Sequence, residues 1–279
     1  MTQLRWVINP LKIKKINHLY NIQFSLNAMF TININPIILQ IGVMQITYYS
    51  LVYILGFLTL LFILLNKSKQ KEIALSKEQV YNYIILLIIG IIVGARIFHI
   101  LFWDFEYFSS NIIEIFYIWN GGLSFHGGLV GAIIVSYLYC RKNKINFLQL
   151  ADIIILPTAL FLALGRIANL INHEIIGKAT NSSFCVNFPE TAGCRHPIQL
   201  YAALGRLMLF FFLLKISYKK HKEGLVFFSF IFLISIGRFL LDIIREDIVY
   251  LYLTAGQWLS LILIIISGVI LLKNYIKTN

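Results

Sequence analysis

The chain of 279 residues is 59% hydrophobic and only 13% charged, and its mean hydropathy is +0.79. A soluble globular domain carries roughly 25% charged residues, so this composition argues against one and indicates a protein embedded in lipid. The formal net charge of +12 would suit a nucleic-acid-binding protein, but most Lys and Arg residues lie in short loops between apolar runs rather than on one basic surface. We therefore do not expect nucleic acid as a partner.

A transmembrane helix needs roughly 17–25 predominantly apolar residues, and it must be helical because lipid offers the backbone no hydrogen-bond partner. Runs of about this length are found at 45–65, 80–102, 121–140, 147–170, 197–216, 225–244 and 255–272. The fourth run is interrupted by Pro157. The sequence thus predicts an all-α, polytopic membrane protein with about seven transmembrane helices.

Alternate loops between these runs differ in their content of Lys and Arg. One set holds 13 such residues and comprises 66–79, 141–146, 215–224 and 273–279. The other set holds 3 and comprises 103–120, 171–196 and 245–254. Because positive charge in short loops favours the cytoplasmic side, we predict that the N-terminus is outside and the C-terminus is cytoplasmic.

Residues 1–28 do not fit this orientation, because they carry four basic residues and yet would lie outside. They also lack the apolar core of a signal peptide. Three interpretations stay open: the stretch is disordered, it precedes a normal translation start at Met29, or it is a short extension on the membrane surface. We expect residues 29–279 to form a single membrane-embedded domain.

Charged and polar residues inside a membrane mark function by default, since each charge costs about 2.5–3.5 kcal/mol on insertion scales. In the predicted spans these residues collect near the outer ends, and in the inner half we identify only Asp152, near a helix start. The outer group comprises Tyr49, Tyr53, Arg96, His99, His126, Arg166, Asn169, Gln199, Tyr201, Arg238 and Asp242.

Helical spacing brings some of these side chains together. Arg238 and Asp242 are four residues apart and share a helix face, and Arg166, Asn169 and His173 do so if their helix extends that far. Two intramembrane arginines suit a phosphate group, because a planar guanidinium offers paired donors to its oxygens. The pattern predicts a cavity for an anionic phospholipid, open to the outer leaflet.

A structural interpretation competes with this one. The arginines would then pair with Asp242, with Glu174 or with backbone carbonyls to hold helices together. The glycine pairs 90/94 and 127/131 have the spacing of helix-packing contacts. His126, which lies among glycines, is a better functional candidate than His99.

Five motifs resemble the prolipoprotein diacylglyceryl transferase family. They are GGLSFHGGLVGA at 121–132, LGRIANLINHEIIG at 164–177, HPIQLY at 196–201, GRFLLDIIRE at 237–246 and AGQWLS at 255–260. Two further segments, ITYYSLVYILGF at 46–57 and GARIFHILFWDF at 94–105, are similar to the first two helices of that family. The resemblance covers residues 30–272 and implies that 29–279 is a diacylglyceryl transferase domain in the bacterial inner membrane.

The resemblance also implies the reaction, its partners and its residues. The lipobox cysteine thiol of a prolipoprotein signal peptide would attack the glycerol carbon of phosphatidylglycerol that bears the phosphodiester. A thioether would form and glycerol phosphate would leave, among membrane lipids and without a metal or organic cofactor. The implied catalytic residues are His126, Arg166 and Arg238. The implied substrate-binding residues are Arg166, Asn169, Glu174, Tyr49, Asp242 and Gly127.

Four positions depart from the family pattern. Ala168 and His173 stand where glycine is usual, and Asp242 and Ala202 stand where glutamate is usual. These departures concern the local geometry of the site, because the histidine and the two arginines are retained.

A thiol with a pKa of about 8.5 must lose its proton before it is a good nucleophile. His126 is the candidate base, and a role as hydrogen-bond donor to the lipid is the open alternative. Arg166 and Arg238 would stabilise charge on the leaving phosphate. Asn169 and Tyr49 would orient the headgroup, and Glu174 or Asp242 would position an arginine.

Two other functions remain open, a transporter or flippase for an anionic lipid or small anion and a non-catalytic scaffold or receptor. The cysteines also leave a choice. Cys185 and Cys194 lie in one predicted outer loop and form either a disulfide or two free thiols, whereas Cys140, at an inner helix end, is predicted to be a small apolar residue.

Overall fold

The structure is a computed structural model that describes residues 30–276 except 33, 43 and 190. The three interpretations of residues 1–28 and the start at Met29 therefore lie outside the described residues. The described part of the chain forms eight α-helices and three small two-stranded sheets. The prediction of an all-α membrane protein is confirmed at this level.

Each of the seven predicted apolar runs forms a helix, and a short helix follows the second. The helices are α1 Tyr48–Lys69, α2 Lys77–Phe102, α3 Phe105–Ser110, α4 Phe125–Asn143, α5 Phe147–Ile171, α6 Ile198–Ser217, α7 Leu225–Leu241 and α8 Ala255–Leu271. Of the described helices, five are long and apolar enough to cross a membrane, namely α1, α2, α5, α6 and α8. Helix α4 has 19 residues, and the apolar helix α7 has 17. The chain is a multi-pass membrane protein.

The predicted start of the first span is wrong by three residues. Residues 45–47 belong to strand β3 (Met44–Thr47), which pairs in an antiparallel hairpin with β2 (Ile37–Ile41). Helix α1 begins only after Thr47, whose hydroxyl accepts a hydrogen bond from the Ser50 backbone N–H. This N-cap satisfies a donor that the first helical turn leaves free, and it defines the boundary.

The predicted start of the third span is wrong for a different reason. Gly121 and Gly122 have φ angles of +89° and +72°, which belong to the left-handed region and cannot continue a right-handed helix. The Arg96 guanidinium accounts for this backbone, because Nη1 donates to the carbonyls of Gly121 and Gly122 at 2.8 and 3.1 Å. Helix α4 therefore begins at Phe125.

The predicted end of the sixth span is also wrong. The run was predicted to extend to residue 244, but helix α7 ends at Leu241, three residues earlier.

Helices α2 and α4 pack with their backbones in contact. A Cβ atom added at Gly131 would overlap the Gly90 carbonyl, and one added at Gly94 would lie 2.5 Å from the Gly127 carbonyl oxygen. Four glycines remove the side chains that would otherwise separate the two helices. The prediction that they form a packing contact is confirmed.

Gly131→Ala should lower the unfolding free energy by about 1–3 kcal/mol, because the added methyl group must push α4 away from α2. Thermal unfolding of the purified protein in detergent measures this loss. Gly128→Ala on the same helix is the matched control, since its Cβ would make ordinary contacts at 3.4–3.7 Å. Equal melting temperatures for the two variants would contradict the close contact.

The connections between helices gather at the two ends of the bundle. The 172–197 loop joins α5 to α6 and contains a disulfide between Cys185 and Cys194, so the disulfide alternative is confirmed. We call this end of the bundle the disulfide end. Strand β1 (Phe30–Thr31) pairs in parallel with β4 (Val186–Asn187) and ties the chain before α1 to that loop. Strands β5 (Val249–Tyr250) and β6 (Leu253–Thr254) form the hairpin between α7 and α8.

Candidate active site

A cavity of about 370 Å³ lies among α5, α6 and α7, near the disulfide end. Most of its lining is apolar, but it receives one arginine from each of the three helices, Arg166, Arg206 and Arg238. Asp242 and Arg245, which follow α7, complete the polar part. The structure therefore brings Arg166 and Arg238 into one shared cavity, as the sequence predicted.

Arg166 is held by a chain of side chains at the end of α5. Its Nη1 donates to Asn169 Oδ1 at 3.1 Å, and Asn169 Nδ2 donates to Glu174 Oε2 at 2.6 Å. Asn172 Nδ2 donates to the other carboxylate oxygen of Glu174 at 3.2 Å. Glu174 thus acts on Arg166 through the Asn169 amide, which it orients.

The geometry of this chain differs from the predicted helical face. Helix α5 ends at Ile171, and His173 has a φ angle of +56° outside the helix. The His173 ring packs edge-on against Phe188 at 5.6 Å between centroids. The helix therefore does not extend far enough to place His173 on the face of Arg166. A left-handed φ is the conformation that glycine adopts most easily, which agrees with the glycine that the family resemblance implies for this position.

Arg238 forms an ion pair with Asp242. Arg238 Nε lies 3.0 Å from Asp242 Oδ1 and 3.1 Å from Oδ2, as the spacing of four residues predicted. Asp242 is buried, and its Oδ2 also accepts a hydrogen bond from the Thr254 hydroxyl at 3.1 Å. Arg245 lies at 3.9 Å from the same carboxylate. The aspartate reaches Arg238 despite being shorter than glutamate.

The ion pair packs against the first turn of α8. A Cβ atom at Gly256 would overlap Asp242 Oδ2 and lie 2.8 Å from Arg238 Nη2. Only a glycine leaves room for the pair at this point. The glycine of the AGQWLS motif therefore has a structural reason.

Gly256→Ala should lower the diacylglyceryl transfer that the family resemblance implies about tenfold or more, because the methyl group must displace the Arg238 guanidinium, and misplacement of about 1 Å can cost 10²-fold. The initial rate of product formation at equal amounts of folded protein measures it. Gly268→Ala on the same helix is the control, since its Cβ meets only the edge of the Phe232 ring, at 3.2 Å. Equal rates for both variants would contradict this role of Gly256.

Arg206 is a cavity residue that the sequence analysis missed. Its Nη1 donates to the Leu162 carbonyl of α5 at 3.1 Å, and it lies within electrostatic range of Arg166 and Arg238. The available signal was its position, because it is a charge in the middle of the apolar run 197–216.

Tyr49 lies beside the cavity rather than in its lining. Helix α1 packs against α5 so that a Cβ at Gly165 would be 4.0 Å from the Tyr49 ring. The hydroxyl groups of Tyr49 and Tyr53 are 3.1 Å apart. Both tyrosines are within electrostatic range of Arg166.

The structure does not bring His126 into the lining of this cavity. Its side chain is exposed, its ring lies 5.8 Å from the Phe125 ring and 6.4 Å from the Phe98 ring, and it is within electrostatic range of Arg238. No described residue forms a hydrogen bond with the imidazole. Gly127 is buried against Phe98 and the Gly94 backbone, which gives it a packing role; its contact with substrate stays a prediction.

Arg96 instead has the structural role that the competing interpretation predicted, in which an arginine bonds to backbone carbonyls. Its guanidinium is buried and donates to the carbonyls of Glu114, Ile115, Gly121 and Gly122 at 2.6–3.1 Å. It organises the segment between α2 and α4 rather than a ligand site. Arg96 thus donates to the carbonyls of a loop, whereas Arg166 lines the cavity.

The polar residue predicted for the other half of the bundle is also structural. Asp152 is buried and accepts hydrogen bonds from the backbone N–H groups of Gly224 and Phe227 at 2.7 and 2.8 Å. It satisfies donors at the start of α7, as helix capping requires. Both oxygens of the carboxylate therefore already accept hydrogen bonds from the backbone.

An apolar helical bundle with arginines gathered in a cavity near one end defines a class of protein, a multi-pass membrane protein with a cluster of positive charge inside its helical bundle. Residues 36–273 match the family model described as prolipoprotein diacylglyceryl transferase. The chain therefore belongs to the prolipoprotein diacylglyceryl transferase family and is a transferase.

Curated relatives cover most of the chain. One from Rickettsia africae is 42% identical over 258 residues, which is 87% of this chain and 97% of the relative. One from Rickettsia bellii is 40% identical over 254 residues, 87% and 96% respectively, and one from Geobacter sulfurreducens is 38% identical over 228 residues, 81% and 88%. All three are named phosphatidylglycerol–prolipoprotein diacylglyceryl transferase.

Proposed function

We propose that this chain transfers the diacylglyceryl group of phosphatidylglycerol to the lipobox cysteine of prolipoproteins, the first step of bacterial lipoprotein maturation. The observation that carries the proposal is the shared cavity of Arg166 and Arg238 within an apolar helical bundle. The names of the relatives supply the two substrates.

The cavity suits the two parts of such a lipid. Its mostly apolar lining favours acyl chains, and its guanidinium groups offer paired donors to phosphate oxygens. In the reaction the cysteine sulfur forms a bond to the glycerol carbon, and the bond from that carbon to the phosphate oxygen breaks. The electron pair stays on the departing glycerol phosphate, whose growing charge the arginines stabilise. Asn169 and Tyr49 orient the headgroup, and Glu174 and Asp242 position the two arginines.

The thiol proton requires an acceptor, and His126 is our candidate. Its imidazole is exposed and forms no hydrogen bond with a described residue. Arg238 lies within electrostatic range of it. His126→Asn keeps a hydrogen-bond donor and removes the base. We expect a rate loss of about 10²-fold or more in membranes. An unchanged rate would contradict the role as base, and full activity of His126→Asn with loss of activity in His126→Ala would favour the donor role.

We also propose the topology that this reaction needs. All seven long helices cross the bacterial inner membrane, residues 29–279 act as one transferase domain, and the disulfide end lies outside. The distribution of Lys and Arg over the loops supports this orientation. A disulfide in the 172–197 loop supports it as well, because disulfides persist in oxidising compartments.

The experiment that tests the function uses the purified full chain with phosphatidylglycerol and a lipobox peptide, followed by mass spectrometry of the peptide. We expect a mass increase equal to one diacylglyceryl group. Movement of lipid across a vesicle bilayer without product would indicate the transporter alternative, and neither result would indicate a scaffold. The transporter is not favoured, since Asp152 in the other half of the bundle is already engaged by backbone N–H groups.

A further inference from the structure

We propose that Arg206 is a third phosphate-binding arginine of the cavity and that its charge makes the site prefer anionic over zwitterionic phospholipids. The inference rests on the proposed function and assigns a substrate-binding role to a residue outside the family motifs quoted above.

The three arginines enter the cavity at different depths. Arg238 is three residues from the end of α7 and Arg166 is five residues from the end of α5, or about 5 and 8 Å along the helix axes. Arg206 is eight residues inside α6, or about 12 Å from its start at the same end. Arg206 is thus placed to hold a headgroup from the side nearer the middle of the bundle.

The charges of the cavity are not balanced by the protein. Asp242 is the one carboxylate among the described residues of the lining, and it is shared between Arg238 at 3.0 Å and Arg245 at 3.9 Å. In the described part of the chain, neither Arg166 nor Arg206 forms an ion pair. An uncompensated charge away from water costs several kcal/mol, so the site favours a bound anion.

The donors of Arg206 are largely free for that anion. A guanidinium has five N–H donors, and the bond from Nη1 to the Leu162 carbonyl uses one of them. Ala202 lines the same cavity one turn before Arg206. A glutamate there would pair with Arg206 at i, i+4 spacing, whereas alanine leaves the guanidinium unpaired.

Binding of short-chain lipids to the purified full chain, measured by calorimetry in detergent, tests the assignment. The ligands are dioctanoyl phosphatidylglycerol, dioctanoyl phosphatidylcholine and dioctanoylglycerol. Arg206→Gln should raise the Kd for phosphatidylglycerol about 10- to 100-fold, the range expected for a lost charged hydrogen bond. The Kd for dioctanoylglycerol should not change, and the Kd for phosphatidylcholine should change little, because the lost phosphate contact is offset by weaker repulsion of the choline group. Lys215→Gln, with the same charge loss at the other end of α6, should bind all three ligands like the wild type.

A second pair of variants separates the charge of Arg206 from its bond to α5. Ala202→Glu should neutralise Arg206 while leaving it in place, and Ala202→Gln adds the same bulk without charge. We expect Ala202→Glu to bind phosphatidylglycerol about tenfold more weakly than Ala202→Gln. This comparison decides the question if Arg206→Gln does not fold.

Three results would overturn the assignment. They are an unchanged Kd for phosphatidylglycerol in Arg206→Gln, an equal loss of affinity for all three ligands, and equal affinities of Ala202→Glu and Ala202→Gln. Tighter binding of free glycerol phosphate than of dioctanoyl phosphatidylglycerol would assign the site to a soluble phosphate instead. Wild-type protein that binds the lipid but forms no product would contradict the proposed function alone, since binding is measured without turnover.

Discussion

Replacing Arg166 by alanine should reduce diacylglyceryl transfer by about 10³-fold, to the detection limit of a membrane assay. Loss of one preorganised group that stabilises transition-state charge typically costs 10²–10³-fold, and Arg166 also contributes to holding the headgroup. Arg166→Lys should recover little, because an ammonium cannot reproduce a planar fork that donates to Asn169 Oδ1 and to a phosphate at once.

The measurement is product formation in nanodiscs that contain phosphatidylglycerol, at equal amounts of folded protein. Arg141→Ala, an exposed arginine in the last turn of α4, is the matched control and should keep wild-type activity. If Arg166→Ala kept more than a tenth of the activity, the cavity would not be the catalytic site. Asn169→Ala should show a smaller loss than Arg166→Ala, because it releases the guanidinium without removing it.

Arg238→Gln should abolish transfer to a similar extent and, unlike Arg166→Ala, should also destabilise the protein. The substitution leaves the carboxylate of Asp242 buried without its main partner. We expect a loss of about 2 kcal/mol in unfolding free energy. This is below the value for a fully buried pair, because the Arg238 side chain is 33% exposed and the Thr254 hydroxyl still donates to Asp242.

The double variant Arg238→Gln, Asp242→Asn separates the two effects. Removal of both charges should restore most of the stability, since no buried carboxylate is left unpaired, but activity should stay lost because the guanidinium is absent. Thermal unfolding and the transfer assay on the same samples measure both quantities. Activity that returned together with stability would show that Arg238 serves only to hold α7 in place.

Several features of the site could be predicted from the sequence because they depend on local spacing. Arg238 and Asp242 are one helical turn apart, so their pairing follows from helix geometry alone. The glycines of α2 and α4 have the spacing of a close helix contact, and this contact was predicted. Arg166 and Arg238 were expected in one cavity because both lie near the same ends of their spans.

Other features depend on how distant elements meet. The position of Glu174 beside Asn169 requires the turn after Ile171, where His173 and Ile175 adopt positive φ angles, and helical periodicity cannot predict such a turn. The structural role of Arg96 requires the carbonyls of a loop 18–26 residues later in the chain. Likewise, the exclusion of His126 from the cavity lining follows from the packing of α4 on α2, which no local pattern reports.

The sequence by itself determined the class of protein, the approximate positions of its long helices and the family to which it belongs. These follow from apolar run length and from motifs, because lipid leaves a backbone no alternative to internal hydrogen bonds. The tertiary structure alone decided which intramembrane arginines donate to the protein's own carbonyls in a loop and which line the cavity. Arg96 and Arg206 look alike along the chain, yet only Arg206 lines the cavity, since the difference arises from groups on other helices and loops.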